Sequence, residues 1–190
     1  MSRASNALPI VTLMIFGSLV LGGCSIKNPK YPATWPTVNE TLDVEKRIVG
    51  TYECQGEIID NNIGLWAYTS LSSFTYGGEI PAWCDLLEIS HPDSNELQLR
   101  YISAGSKTLI KALKRDEDYS VDDGWIVFKS RGFSDAKNVV AVHESVTIYL
   151  AVNASNDLIA KAKNSTIGLV FTIFPSGSFG TRWGKFKRVK

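Results

Sequence analysis

The chain has 190 residues, with 20 Lys and Arg against 19 Asp and Glu and a formal net charge of +1. That balance argues against nucleic-acid binding, which leans on clustered positive charge. With 44% hydrophobic residues and five Trp, the chain has ample material for a core and is not disordered throughout; its length fits one domain with a tether.

The first 23 residues carry Arg3 as their only charge and run almost wholly apolar from Leu8 to Leu21. As a helix that run is about 21 Å long, short of a hydrocarbon core of about 30 Å. A charged start, a short apolar stretch and a small-residue exit form a secretory signal rather than a membrane span. The exit ends at a cysteine: Leu21-Gly22-Gly23-Cys24, followed by Ser25. This resembles the lipobox of bacterial lipoproteins. The resemblance implies cleavage before Cys24, a diacylated Cys24 sulfur and an acylated new amino group. Two or three acyl chains hold a protein firmly where one binds marginally. Ser25, in place of the Asp that favours inner-membrane retention, implies the outer membrane, facing the periplasm. Loss of residues 1–23 removes Arg3 and no acid, so the mature chain is formally neutral.

Cys54 and Cys84 then remain as an even pair in an oxidising compartment, where a disulfide forms and persists; two separate buried thiols are the alternative. Closing a loop of about thirty residues is worth about 3–4 kcal/mol in the chain-entropy picture. A zinc site is not expected, because the two His have no cysteine at ligand spacing, and no cofactor is implied.

Residues 24–46 read as a tether, because Pro29, Pro32 and Pro36 favour extended backbone. Tyr31 and Trp35 within it are expected to pack on the folded domain, residues 47–190, with the membrane interface or a partner as the alternatives. Ile48 to Ile58 alternates as a half-buried strand, with Ile48, Gly50, Tyr52 and Cys54 on one side. Gly50-Thr51-Tyr52 resembles the Gly-x-Trp/Tyr near the first strand of lipocalin-like barrels, which implies a barrel that takes a small apolar ligand.

Residues 60–83 form an insertion rich in aromatics: Trp66, Tyr68, Phe74, Tyr76 and Trp83. Ile63, Trp66, Ala67, Ser70, Leu71 and Phe74 fall at helical spacing, with Asn61-Asn62 as cap and Gly77-Gly78 as stop. Stapled at its base by Cys54 and Cys84, the insertion is either a lid or contact surface for a ligand or partner, or a plug that fills one end of the domain.

Strands follow at Leu86–Ser90, Glu96–Ser103, Thr108–Lys114, Trp125–Lys129, Val139 to Asn153, Leu158–Lys163, Gly168–Phe174 and Thr181–Val189. Turns are expected at His91-Pro92-Asp93-Ser94-Asn95, at Asp122-Asp123-Gly124, at Ser155-Asn156-Asp157 and at Pro175-Ser176-Gly177. Lys161 and Lys163 face out. About eight to ten short strands predict a mainly β domain, an antiparallel barrel or sandwich with one short helical insertion.

No Gly-x-Ser-x-Gly, His-Glu-x-x-His or phosphate loop is present. His143 and Glu144 are adjacent on a strand and point to opposite faces. An enzyme is not expected. Arg182, Lys185, Lys187, Arg188 and Lys190 form an acid-free end, either a stripe for anionic headgroups or polymer, or an edge strand kept soluble by its lysines. The sequence therefore points to a non-catalytic envelope lipoprotein, held to the membrane through Cys24, with a structural or protein-interaction role. Its candidate contacts are Tyr31 and Trp35 with Trp66, Tyr68, Phe74, Tyr76 and Trp83 of the insertion. A lipocalin-like binder of a small apolar ligand is the alternative.

Overall fold

The computed structural model describes residues 30–38, 43–60, 69–76, 84–105, 107–137, 140–170 and 174–189. Two short helices, α1 (Val44–Arg47) and α2 (Leu71–Tyr76), accompany eleven strands. These are β1 (Gly50–Glu53), β2 (Glu57–Asp60), β3 (Leu86–Asp93), β4 (Glu96–Ile102), β5 (Thr108–Lys114), β6 (Tyr119–Asp122), β7 (Trp125–Lys137), β8 (Val140–Val152), β9 (Leu158–Val170), β10 (Phe174–Phe186) and β11 (Arg188–Val189). The fold is mainly β, as expected. Its strands form a five-stranded sheet, β11-β1-β3-β4-β5, and a six-stranded sheet, β2-β10-β9-β8-β7-β6. All strand pairings within them are antiparallel, and the two sheets make a sandwich rather than a closed barrel.

One side of the sandwich is built from two strands that bend from sheet to sheet. The Ile48–Ile58 stretch divides at Cys54–Gly56 into β1 and β2, and the C-terminal stretch divides at Lys187 into β10 and β11. Because β1 pairs with β11 and β2 with β10, the bends lie together, and the Glu53 N–H donates to the Lys187 carbonyl at 2.9 Å. Gly56 permits the approach: a Cβ there would stand 2.4 Å from the Lys185 carbonyl oxygen. The expected Asp122-Asp123-Gly124 turn has Asp123 at φ 48° and Gly124 at φ 74°, the positive values that a two-residue hairpin needs.

Between the sheets, alternate residues point inward. Leu97, Leu99 and Tyr101 of β4, and Ile148, Leu150 and Val152 of β8, are buried on the two inner faces. Three tyrosines in this core each place their hydroxyl on a partner. Tyr52 donates to the Ile48 carbonyl at 2.9 Å, Tyr101 to Thr75 Oγ1 at 3.0 Å and Tyr119 to Glu45 Oε1 at 2.8 Å. Those bonds offset the cost of burying a polar group. Cys54 and Cys84 form a disulfide with Cα atoms 5.9 Å apart. The Leu71 N–H donates to the Cys54 carbonyl, which ties α2 to that staple.

Several boundaries differ from the sequence reading. β3 runs on through His91 and Pro92 to Asp93, with a register shift between Ser90 and Asp93, an irregularity that suits a proline without an N–H. β7 extends to Lys137, not Lys129, because antiparallel pairing with β8 orders a stretch whose own alternation is broken by Gly132 and Asp135. Gly168–Phe174 is not one strand. β9 ends at Val170 and β10 begins at Phe174, directly opposite it, and Pro175-Ser176-Gly177 lies inside β10 rather than in a turn. The reversal sits in an apolar run that carries no turn residue to mark it.

Candidate functional site

The outer face of the six-stranded sheet is not an ordinary solvated face. Along β9, Leu158, Ala160 and Ala162 are buried inward while Ile159, Lys161 and Lys163 alternate outward. Register places Tyr149, Lys161 and Trp183 side by side on β8, β9 and β10, and Thr147, Lys163 and Thr181 in the next row. Cross-strand neighbours of this kind stand close enough to interact directly.

Residues 30–38, read as part of the tether, lie across this face. Trp35 is 4% exposed and packs with Ile159 and Trp183 outside the main core. Its indole N–H donates to Glu57 Oε1 at 2.9 Å. The Trp35 N–H closes a turn on the Pro32 carbonyl at 3.0 Å, and the Ala154 N–H donates to the Thr37 carbonyl at 2.9 Å. Aromatic rings then continue across the sheet. Tyr31 meets Trp35 at 6.0 Å and Trp183 at 5.3 Å, Trp183 meets Trp125 at 6.2 Å, and Trp125 meets Tyr149 at 6.4 Å. These distances suit the edge-to-face and tilted arrangements that aromatic quadrupoles favour.

Between this strap and the sheet lies a groove of ≈ 740 Å³, lined by Tyr31, Trp125, Tyr149, Lys161, Lys163 and others, with Asp122 and Asp123 at its edge. A second hollow of ≈ 340 Å³ adjoins it, sharing Lys163 and Thr181 and reaching Phe179. Lys161 Nζ lies 4.8 Å from the Trp183 ring centre and 5.3 Å from that of Tyr149; Lys163 Nζ lies 5.2 Å from the Tyr149 ring. Among the described residues neither ammonium has a carboxylate at ion-pair distance. Lys185 is different: its Nζ is 2.6 Å from Glu57 Oε2. That contact and the Trp35 indole hold the Glu57 carboxyl below its ordinary range. Burial, and then the neighbouring Lys163, push the Lys161 ammonium down to about 8. Two unneutralised cations above aromatic faces suit an anion with an apolar body.

The insertion residues fare differently. Phe74 is 1% exposed and meets Phe186 at 5.9 Å, so it fills the interior as a plug instead of forming a contact surface. Trp66, Tyr68 and Trp83 lie outside the described residues, as do the side chain of Tyr76 and all of Cys24. The described C-terminal cations differ in setting, with Lys187 exposed. Arg182 is buried, Lys185 pairs with Glu57, and Arg188 donates to the Val49 carbonyl and lies 5.8 Å over the Tyr52 ring. β11 is nonetheless an edge strand.

His91 stands with Nε2 4.0 Å from Glu45 Oε1, beside the Arg115–Glu45 ion pair at 2.9 Å. Together with the Tyr119–Glu45 bond, this cluster fastens α1 to the edge where β5 passes into β6. Among the described residues no group of three or more His, Cys, Asp or Glu is placed to hold a metal ion, and no helix is long and apolar enough to cross a membrane.

Sequence reasoning put Lys161 and Lys163 simply outward. The missed signal is that Tyr149, Lys161 and Trp183 fall on the same outward phase of three long strands. No protein-family model, curated protein or solved structure matches this chain.

Proposed function

We propose that this chain is a lipid-anchored protein of the bacterial envelope, held through Cys24 in the outer membrane and facing the periplasm, with a non-catalytic interaction role. The groove on the outer face of the six-stranded sheet is its working surface. One observation supports this above the others: Lys30, six residues after Cys24 in the sequence, lines the groove. Six residues span at most about 20 Å, so the anchor keeps the groove near the membrane surface. The groove offers cations and aromatic rings, which is binding chemistry. The interior that an apolar-ligand carrier would use is occupied by Tyr52, Phe74, Tyr101, Tyr119 and Phe186.

Growth with radiolabelled palmitate tests the anchor. The wild-type chain takes up label and sediments with membranes, and Cys24→Ala leaves an unlabelled precursor. Label retained by Cys24→Ala would overturn the reading.

A further inference from the structure

The outer groove has a direction. Along the outward phase of β9, Lys161 and Lys163 are followed by Ser165 and then Ile167, which is 57% exposed. Phe179, 40% exposed, stands opposite Ser165 on β10, diagonal to Ile167. Such diagonal neighbours are about 7–8 Å apart, within reach of an aromatic side chain. The face thus passes from two cations without carboxylate partners to exposed apolar side chains over about 20 Å, at about 3.3 Å per residue. The hollow that reaches Phe179 adjoins the cationic groove through Lys163 and Thr181.

From this arrangement we infer that the groove binds one phospholipid molecule, its phosphate on Lys161 and Lys163 and its acyl chain running over Phe179 and Ile167. A phosphate supplies the negative charge that the paired ammoniums lack, and it relieves their mutual repulsion as well as the burial of Lys161. A small anion alone would leave the apolar end of the face exposed. A neutral apolar ligand would leave the cations uncompensated. The source of the ligand rests on the proposed anchor, which holds Lys30 within about 20 Å of acylated Cys24, and hence beside a layer of phosphate headgroups.

The test uses the full lipidated chain in a maltoside detergent, which carries no phosphate. Dihexanoyl phosphatidylglycerol is titrated below its micelle concentration and followed by tryptophan fluorescence, which reports on Trp125 and Trp183. Saturable binding is expected, weakened about thirty-fold in the double variant Lys161→Gln/Lys163→Gln, since each lysine near an anionic headgroup contributes severalfold. Phe179→Ser weakens the lipid and leaves glycerol phosphate unaffected. Lys187→Gln, an exposed site away from the groove, leaves binding as in the wild type. Equal affinity in the double variant, with its circular dichroism unchanged, overturns the inference. So does inorganic phosphate that binds as tightly as the lipid. Palmitate labelling is read on the same preparations, so lost lipid binding with label intact rejects this inference and leaves the anchor standing.

Discussion

The protein has two aromatic clusters with opposite designs. The one between the sheets is sealed, and its three tyrosines are paired: Tyr52, Tyr101 and Tyr119 all place their hydroxyls on acceptors. The one on the outer face of the six-stranded sheet is only partly covered, by the Lys30–Val38 strap, and holds two lysines over aromatic rings, neither with a carboxylate at ion-pair distance among the described residues. A residue in the first serves folding, because any unpaired polar group or void there raises the free energy of the folded state. In the second, the two ammoniums are what the proposed phospholipid phosphate would meet.

The largest effects should fall on the interior. Phe74→Ala removes a ring buried against Phe186 and should cost about 3–5 kcal/mol in urea unfolding. A loss below about 1 kcal/mol would mean that α2 is not a plug. Reduction of the staple comes next. The double variant Cys54→Ser/Cys84→Ser should lose about 3–4 kcal/mol, and alkylation under denaturing, non-reducing conditions should find both wild-type cysteines protected.

On the outer face the same kind of substitution should act locally. Trp35→Ala should cost about 2 kcal/mol from lost burial and release the strap. Hydrogen exchange should then quicken at the Ala154 amide, which is bonded to the Thr37 carbonyl, while β4 amides keep their protection. Uniform loss of protection in both places would erase the distinction between the clusters.

The smallest effect concerns charge. Lys161 lies over the Tyr149 and Trp183 rings beside Lys163, in a groove also lined by Lys30 and Tyr31 of the strap and by Asp122 and Asp123 of the β6–β7 turn. Its ammonium titrates at about 8 in the folded chain, below the ordinary lysine value of 10.5, so the folded state binds fewer protons than the unfolded state between those values. Stability should therefore rise slightly as pH climbs from about 8 toward 10, and Lys161→Gln should remove that rise. Tyr52, pushed up to about 12 by burial, works against stability only above pH 10, where it ionises in the unfolded chain. Anion binding should fade over the same climb, as Lys161 loses its charge.

The sequence showed most of the interior and little of the outer site. Leu97, Leu99 and Tyr101 announce their inward phase by alternation, and Asp123-Gly124 announces its turn through the positive φ that it supports. The reversal between Val170 and Phe174 left no such mark, because an apolar run reads alike whether the chain continues or folds back. The groove was hidden for another reason. Its members come from the strap, the β6–β7 turn and three strands, and only register brings Tyr149, Lys161 and Trp183 into one row. Trp183 is buried under Trp35 and Tyr31, on the face of the sheet away from the main core.

Site-specific photocrosslinking in intact cells tests the central claim most directly. A photoreactive residue is placed at Thr147, in the outer groove, or at Ala112, exposed on the five-stranded sheet. A discrete adduct is expected from position 147 that disappears in Cys24→Ala, and none from position 112. Adducts from position 112 alone, or adducts from position 147 that survive loss of Cys24, would contradict it.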